Sequence, residues 1–128
     1  MRMVRYQYVD EISPPAPFVY LTVRNPEHDL ASPEMPALLD SGADRTVIPG
    51  KLVTALRLSA LRTMLVGGLG NDPHQLFMYS VVIQMRTLQS MEVEVIAHDD
   101  ESFVLLGRDV LNQLRIVLDG PNQVLEIG

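Results

Sequence analysis

The apolar positions of this chain fall mainly in short runs and two-residue alternations, the signature of β-strands, and only two stretches carry helical spacing. Val4, Tyr6 and Tyr8 alternate with Arg5 and Gln7, which predicts a short strand or extended arm. In Ser13-Pro14-Pro15-Ala16-Pro17 the prolines remove amide donors and hold the chain extended, so this segment reads as a linker or turn. The expected division is an N-terminal arm over 1–17 and a single domain over 18–128. Phe18 to Val23 is a run of β-formers and predicts a strand. Asn25 to Pro36, with three prolines and several acids, predicts a polar loop beside a cleft or on the surface.

Thr46 to Ile48 predicts a short strand, and Gly50 to Leu58 a short helix with Leu52, Val53 and Leu56 on one side. Arg62 to Val66 and Phe77 to Met85 predict two strands joined through Gly67-Gly68-Leu69-Gly70-Asn71-Asp72-Pro73. That joining segment is too rich in glycine to pack as an interior strand and reads as a turn region. Met91 to Ala97 sets Val93, Val95 and Ala97 against Glu92 and Glu94, an antiparallel-sheet signal. Phe103 to Leu106 is a continuous apolar run ended by Gly107, as expected of a strand buried on both faces. Arg108 to Leu114 reads as a second helix, and Arg115 to Asp119 and Gln123 to Ile127 flank Gly120-Pro121-Asn122 as a terminal hairpin. The expected fold class is all-β with one or two short helices.

The chemistry concentrates in Ala37 to Pro49. Leu38 and Leu39 deliver a carboxylate at Asp40, Ser41 and Gly42 turn the chain, and Val47 and Ile48 carry it away. An Asp-Ser-Gly triplet alone is an ordinary turn signal, since Asp readily caps a turn amide. An acid set between two apolar runs is rarer, because unpaired carboxylates avoid buried neighbours. Asp109 and Asp119 lack that setting, and helix-start and turn roles explain them. Asp99-Asp100-Glu101 reads as a solvated turn. His28, His74 and His98 are too far apart for ligand spacing, so no metal site is expected.

Composition narrows the function classes. At 128 residues the chain holds one domain of ordinary size, large enough for a core without disulfides. A net charge of -6 with one lysine, Lys51, argues against nucleic-acid and anionic-membrane surfaces, which need clustered cations. With no cysteine, neither a thiolate nucleophile nor a disulfide framework is available. The start lacks the apolar core of a signal peptide and no stretch has the length of a membrane span, so a soluble protein is expected, with the cytoplasm as default compartment.

Leu38-Leu39-Asp40-Ser41-Gly42-Ala43-Asp44 through Ile48, the segment Gly67-Gly68-Leu69-Gly70, and Leu105-Leu106-Gly107-Arg108-Asp109-Val110-Leu111 occur in the order and rough spacing found in retropepsin-like aspartic proteases, which the chain resembles from about Phe18 to Ile127. The resemblance implies an acid-protease (retropepsin) fold, a closed β-barrel-like domain with a flap hairpin. It also implies a homodimeric peptide hydrolase in which each copy gives one catalytic Asp40, with no cofactor and no metal. Ser41 would brace the loops across the dimer axis, Gly42 would permit the turn, and Ala43 would complete the active-site loop. Asp44 would contact substrate backbone and pair with Arg108. Gly67, Gly68, Leu69, Gly70 and Asn71 would form the flap, and the terminal hairpin would build the dimer sheet. Val47, Ile48 and residues beside Gly107 would wall the substrate pocket. A catalytically silent domain that keeps the fold for dimerisation or peptide binding is the alternative.

Overall fold

The structure, a computed structural model, describes residues 3–66 and 74–128. Among these, the elements run β1 (Val4–Gln7), β2 (Phe18–Arg24), β3 (Met35–Leu39), β4 (Val47–Pro49), α1 (Lys51–Ala55), β5 (Ala60–Val66), β6 (His74–Gln84), β7 (Met91–His98), β8 (Val104–Leu106), α2 (Arg108–Leu111), β9 (Ile116–Asp119) and β10 (Val124–Ile127).

Six strands close on themselves in a barrel-like ring. β2 pairs with β3, β3 with β8, β8 with β4, β4 with β7, β7 with β6, and β6 returns to β2 through Thr22↔Gln84, Val23↔Ile83 and Arg24↔Val82. Among the described residues β5 pairs with β6 alone and lies outside the ring as an edge strand. Alternation along each strand divides the ring into two faces. The inner face carries Val19, Leu21, Val23, Ala37, Val81, Ile83, Val95, Val104 and Leu106, all fully buried in one cluster. Each of the valine, leucine and isoleucine side chains contributes about 1.5–3 kcal/mol when withdrawn from water.

Two pairings, β3 with β8 and β4 with β7, are parallel. β7 is antiparallel toward β6, as its alternation predicts, but its other neighbour runs alongside it. The run before Gly107 lies between β3 and β4 in the sheet, but it is not buried on both faces as expected: Val104 and Leu106 enter the core, and Leu105 on the opposite face is half-buried.

Both helices are shorter than their sequence stretches. α1 contributes the buried Leu52 and Leu56 and stops where Arg57 turns to a φ of 54°. The loop after β2 secures that end: buried Asn25 donates through Nδ2 to the Leu56 carbonyl at 2.9 Å. α2 tightens after Leu111, since the amides of Gln113 and Leu114 reach only three residues back, to Val110 and Leu111.

A second sheet orders β1, β10 and β9, with Val4↔Ile127 and Tyr6↔Leu125. All four of these side chains join the core cluster. Burial pushes the Tyr6 phenol above its usual value; the Arg86 guanidinium over its ring draws it back, Glu34 adds to the rise, and the hydrogen bond to the Tyr20 carbonyl opposes it. No helix among the described residues is long and apolar enough to cross a membrane.

Candidate active site

β3 brings the chain to Asp40 and hands it directly to β8. The Asp40 amide donates to the Leu106 carbonyl at 3.0 Å, one step beyond the last register pair Leu39↔Leu106. The turn then closes tightly, the Ala43 amide donating to the Asp40 carbonyl at 3.1 Å. Gly42 donates its amide to Asp40 Oδ1 at 3.0 Å, which fixes one carboxylate oxygen. A Cβ at residue 42 would sit 3.2 Å from that same oxygen, so any larger residue presses on the carboxylate. Asp40 is half-buried, whereas Ser41 and Gly42 are exposed at the tip of the turn.

The start of α2 braces this turn from behind. The Arg108 amide donates to the Ala43 carbonyl at 2.9 Å and its Nη1 to the Ser41 carbonyl at 2.7 Å. Its Nη2 pairs with Asp44 Oδ1. Because the two side chains are 44% and 80% exposed, the ion pair itself is worth only about 0–1 kcal/mol. Its effect is geometric: one guanidinium holds both ends of the Ser41–Asp44 segment.

A second brace was not legible as such in the sequence. Thr46 is fully buried; its Oγ1 donates to Asp109 Oδ1 at 2.8 Å and accepts from the Gly107 amide at 3.1 Å. Its own amide donates to Asp109 Oδ2 at 3.0 Å. Asp109 does occupy the first turn of α2, but its carboxylate also clamps the entry of β4. The available signal was Thr46 itself, a hydroxyl beside an apolar run, which when buried must find a partner. Gly107 lies against the same segment, where a Cβ would come 2.5 Å from the Arg45 carbonyl carbon.

Beside the turn, the outer face of the ring presents an apolar row. Phe18, Leu38, Leu105, Val47, Ile96 and Met78 are successive register partners across six strands. Phe18, Ile96 and Met78 are buried, and Leu38, Leu105 and Val47 are half-buried. Ile48 points the other way and is fully buried in the core, so it is not available to a pocket wall with Val47. Gly67, Gly68, Leu69, Gly70 and Asn71 lie outside the described residues. Among the described residues no three acids or histidines cluster as a metal site.

A closed sheet that delivers one carboxylate on a glycine turn, locked by a Gly-Arg-Asp helix start, is the architecture of retropepsin-type acid proteases. The chain belongs to the retroviral aspartyl protease family, whose family model matches residues 15–119. Solved structures agree in fold. A retropepsin-like aspartic protease from Rickettsia conorii aligns with a TM-score of 0.61 at 12% identity, over 98% of this chain and 91% of that one. EIAV protease, complexed with the inhibitor HBY-793, gives 0.56 at 22% identity over 77% and 86%. A foamy viral protease-reverse transcriptase gives 0.56 at 16% identity over 77% of this chain and 12% of the longer one. No curated protein sequence matches the chain.

Proposed function

We propose that the protein is an aspartic endopeptidase that works as a homodimer, with the two Asp40 carboxylates meeting at the two-fold axis. The observation that carries this reading is the presentation of Asp40 on a half-exposed turn held at both ends, by Leu106 and Gly42 on one side and Arg108 on the other. One chain offers one such carboxylate, and a two-fold axis supplies its twin because any group near the axis faces its own copy. Two carboxylates brought into contact across an axis cannot readily both ionise and so share a single proton. The ionised one takes a proton from a water held between them as the water attacks the scissile carbonyl. The protonated one donates to the carbonyl oxygen, and proton return to the amine nitrogen completes cleavage. No covalent intermediate forms and no metal or cofactor takes part.

The half-buried Leu38, Leu105 and Val47 supply an apolar wall next to the Asp40 turn, which supports a preference for extended peptides with apolar side chains at the cut. For assembly, the terminal hairpin is the favoured surface. Among the described residues β9 is one edge of its sheet, β1 being the other, and it exposes Val117 and Leu118, an edge that a second copy would cover.

The test is hydrolysis of an unfolded protein at mildly acidic pH by the wild type and by Asp40→Asn, with sedimentation of both. The expected result is cleavage by a dimer and loss of cleavage, dimer retained, in the variant. Equal behaviour of the two proteins on a broad peptide library would leave the silent dimerisation or peptide-binding domain as the correct reading.

A further inference from the structure

The inner face of the ring does not end where the core ends. Along β6, Ile83, Val81 and Tyr79 are buried, but Phe77, next on the same alternation, is 55% exposed. Its register partner is Thr63 on β5, and Leu65, on the same side of β5, is 66% exposed. The opposite side of this hairpin is tied down, Arg62 pairing with Glu94 of β7. An apolar face thus emerges from the end of the barrel with nothing against it among the described residues.

α1 stands across from it and leaves a cleft of about 560 Å³. Val53, Tyr79, Ala97 and Phe77 are the apolar part of a mixed lining that also holds Gln75, while the exposed Asp99 and Asp100 line the cleft's rim. The rim is built in: the Gly50 amide donates to the His98 carbonyl at 3.0 Å, and Asp99 lies so close over Gly50 that a Cβ there would be 2.0 Å from Asp99 Oδ1. Among the described lining residues Asp99 and Asp100 are the formally charged ones, both exposed.

We propose that this cleft, lined from the core-facing alternation of β6 and β7 and not from the outward Leu38–Leu105–Val47 row, is a second peptide-binding site that takes an extended segment pairing an apolar anchor with Lys or Arg. The apolar side chain covers Phe77 and Val53, and the cation meets Asp99 and Asp100. Charge complementarity selects the occupant, since an acidic rim repels acidic segments and draws in a cationic one, and Asp99 and Asp100 are exposed where an arriving cation meets them. The segment can belong to a protein substrate gripped away from its cut site, although the binding itself stands whether or not Asp40 hydrolyses anything.

The experiment is calorimetric titration of the Asp40→Asn protein with the acetylated, amidated peptide Lys-Leu-Arg-Phe-Lys-Leu, repeated with Glu in place of each Lys and Arg. Saturable binding with a Kd below about 1 mM is expected for the basic peptide and none for the acidic one. Phe77→Ser and the pair Asp99→Asn, Asp100→Asn each weaken it at least about ten-fold; all three positions are exposed, so folding survives. Amide shifts in NMR spectra fall on Val53, Phe77 and Ala97. Absence of saturation, equal binding of the acidic peptide, indifference to these substitutions, or shifts confined to Leu38, Val47 and Leu105 would each overturn the proposal.

Discussion

Replacing Thr46 by Val isolates the brace that joins β4 to the start of α2. The two side chains have nearly the same shape, so no cavity opens, and what changes is the hydroxyl. Its bond to Asp109 Oδ1 is charge-assisted and contributes about 1.5–3 kcal/mol; its acceptance from the Gly107 amide leaves a buried donor stranded when lost, at about 1–3 kcal/mol. Asp109 keeps the Thr46 and Val110 amides, which caps the loss near its lower end, about 3 kcal/mol. That is a large share of the about 5–15 kcal/mol that holds a domain together. Urea unfolding at one fixed chain concentration measures it, because an associating protein gains stability with concentration. Thr46→Ser, which keeps the hydroxyl and drops one methyl, should cost about 1 kcal/mol. A Val variant no less stable than the Ser variant would refute the reasoning, and Asp109 would then be no more than a helix-start acid.

Gly107→Ala should destabilise by about 1–3 kcal/mol or more, because the new Cβ would meet backbone atoms of Arg45 and Thr46 at 2.5–2.9 Å, and backbone cannot swing aside as a side chain can; the φ of −86° is ordinary, so the cost lies in the contact, and unfolding curves read it directly. Tyr6→Phe should change the alkaline limb of stability. The folded-state value of Tyr6 is raised above 10.0 by burial, so its stabilisation is complete below pH 10 and is lost as pH rises through the folded value, where the unfolded chain has already released the proton. Phe lacks that slope, while at neutral pH it forfeits only the bond to the Tyr20 carbonyl, about 1 kcal/mol. Denaturation midpoints at neutral and strongly alkaline pH that shift by equal amounts in both proteins would contradict this.

Local pattern and long-range order were legible to different degrees, and the reason is physical. Strand alternation is a property of a few consecutive residues, so β2, β6, β7 and the terminal pair stand in the sequence nearly as they stand in the fold. Asp40 stood out because an acid between apolar runs conflicts with its surroundings unless something uses it. Which strand lies beside which is decided by packing across the whole ring, and no alternation encodes that β8 inserts between β3 and β4 or that β4 runs parallel to β7. The same limit hid the Thr46–Asp109 clamp, whose members are 63 residues apart. It bears directly on the site. The Asp40 turn contains two self-bonds, Gly42 to the carboxylate and Ala43 to the carbonyl, and everything else that fixes its direction comes from Leu106, Arg108 and, through Thr46, Gly107 and Asp109. A turn fixed from outside presents its acid at one angle only when the ring around it is complete. The five-residue stretch Leu105 to Asp109 is therefore as much part of the acid's placement as the triplet that carries the acid.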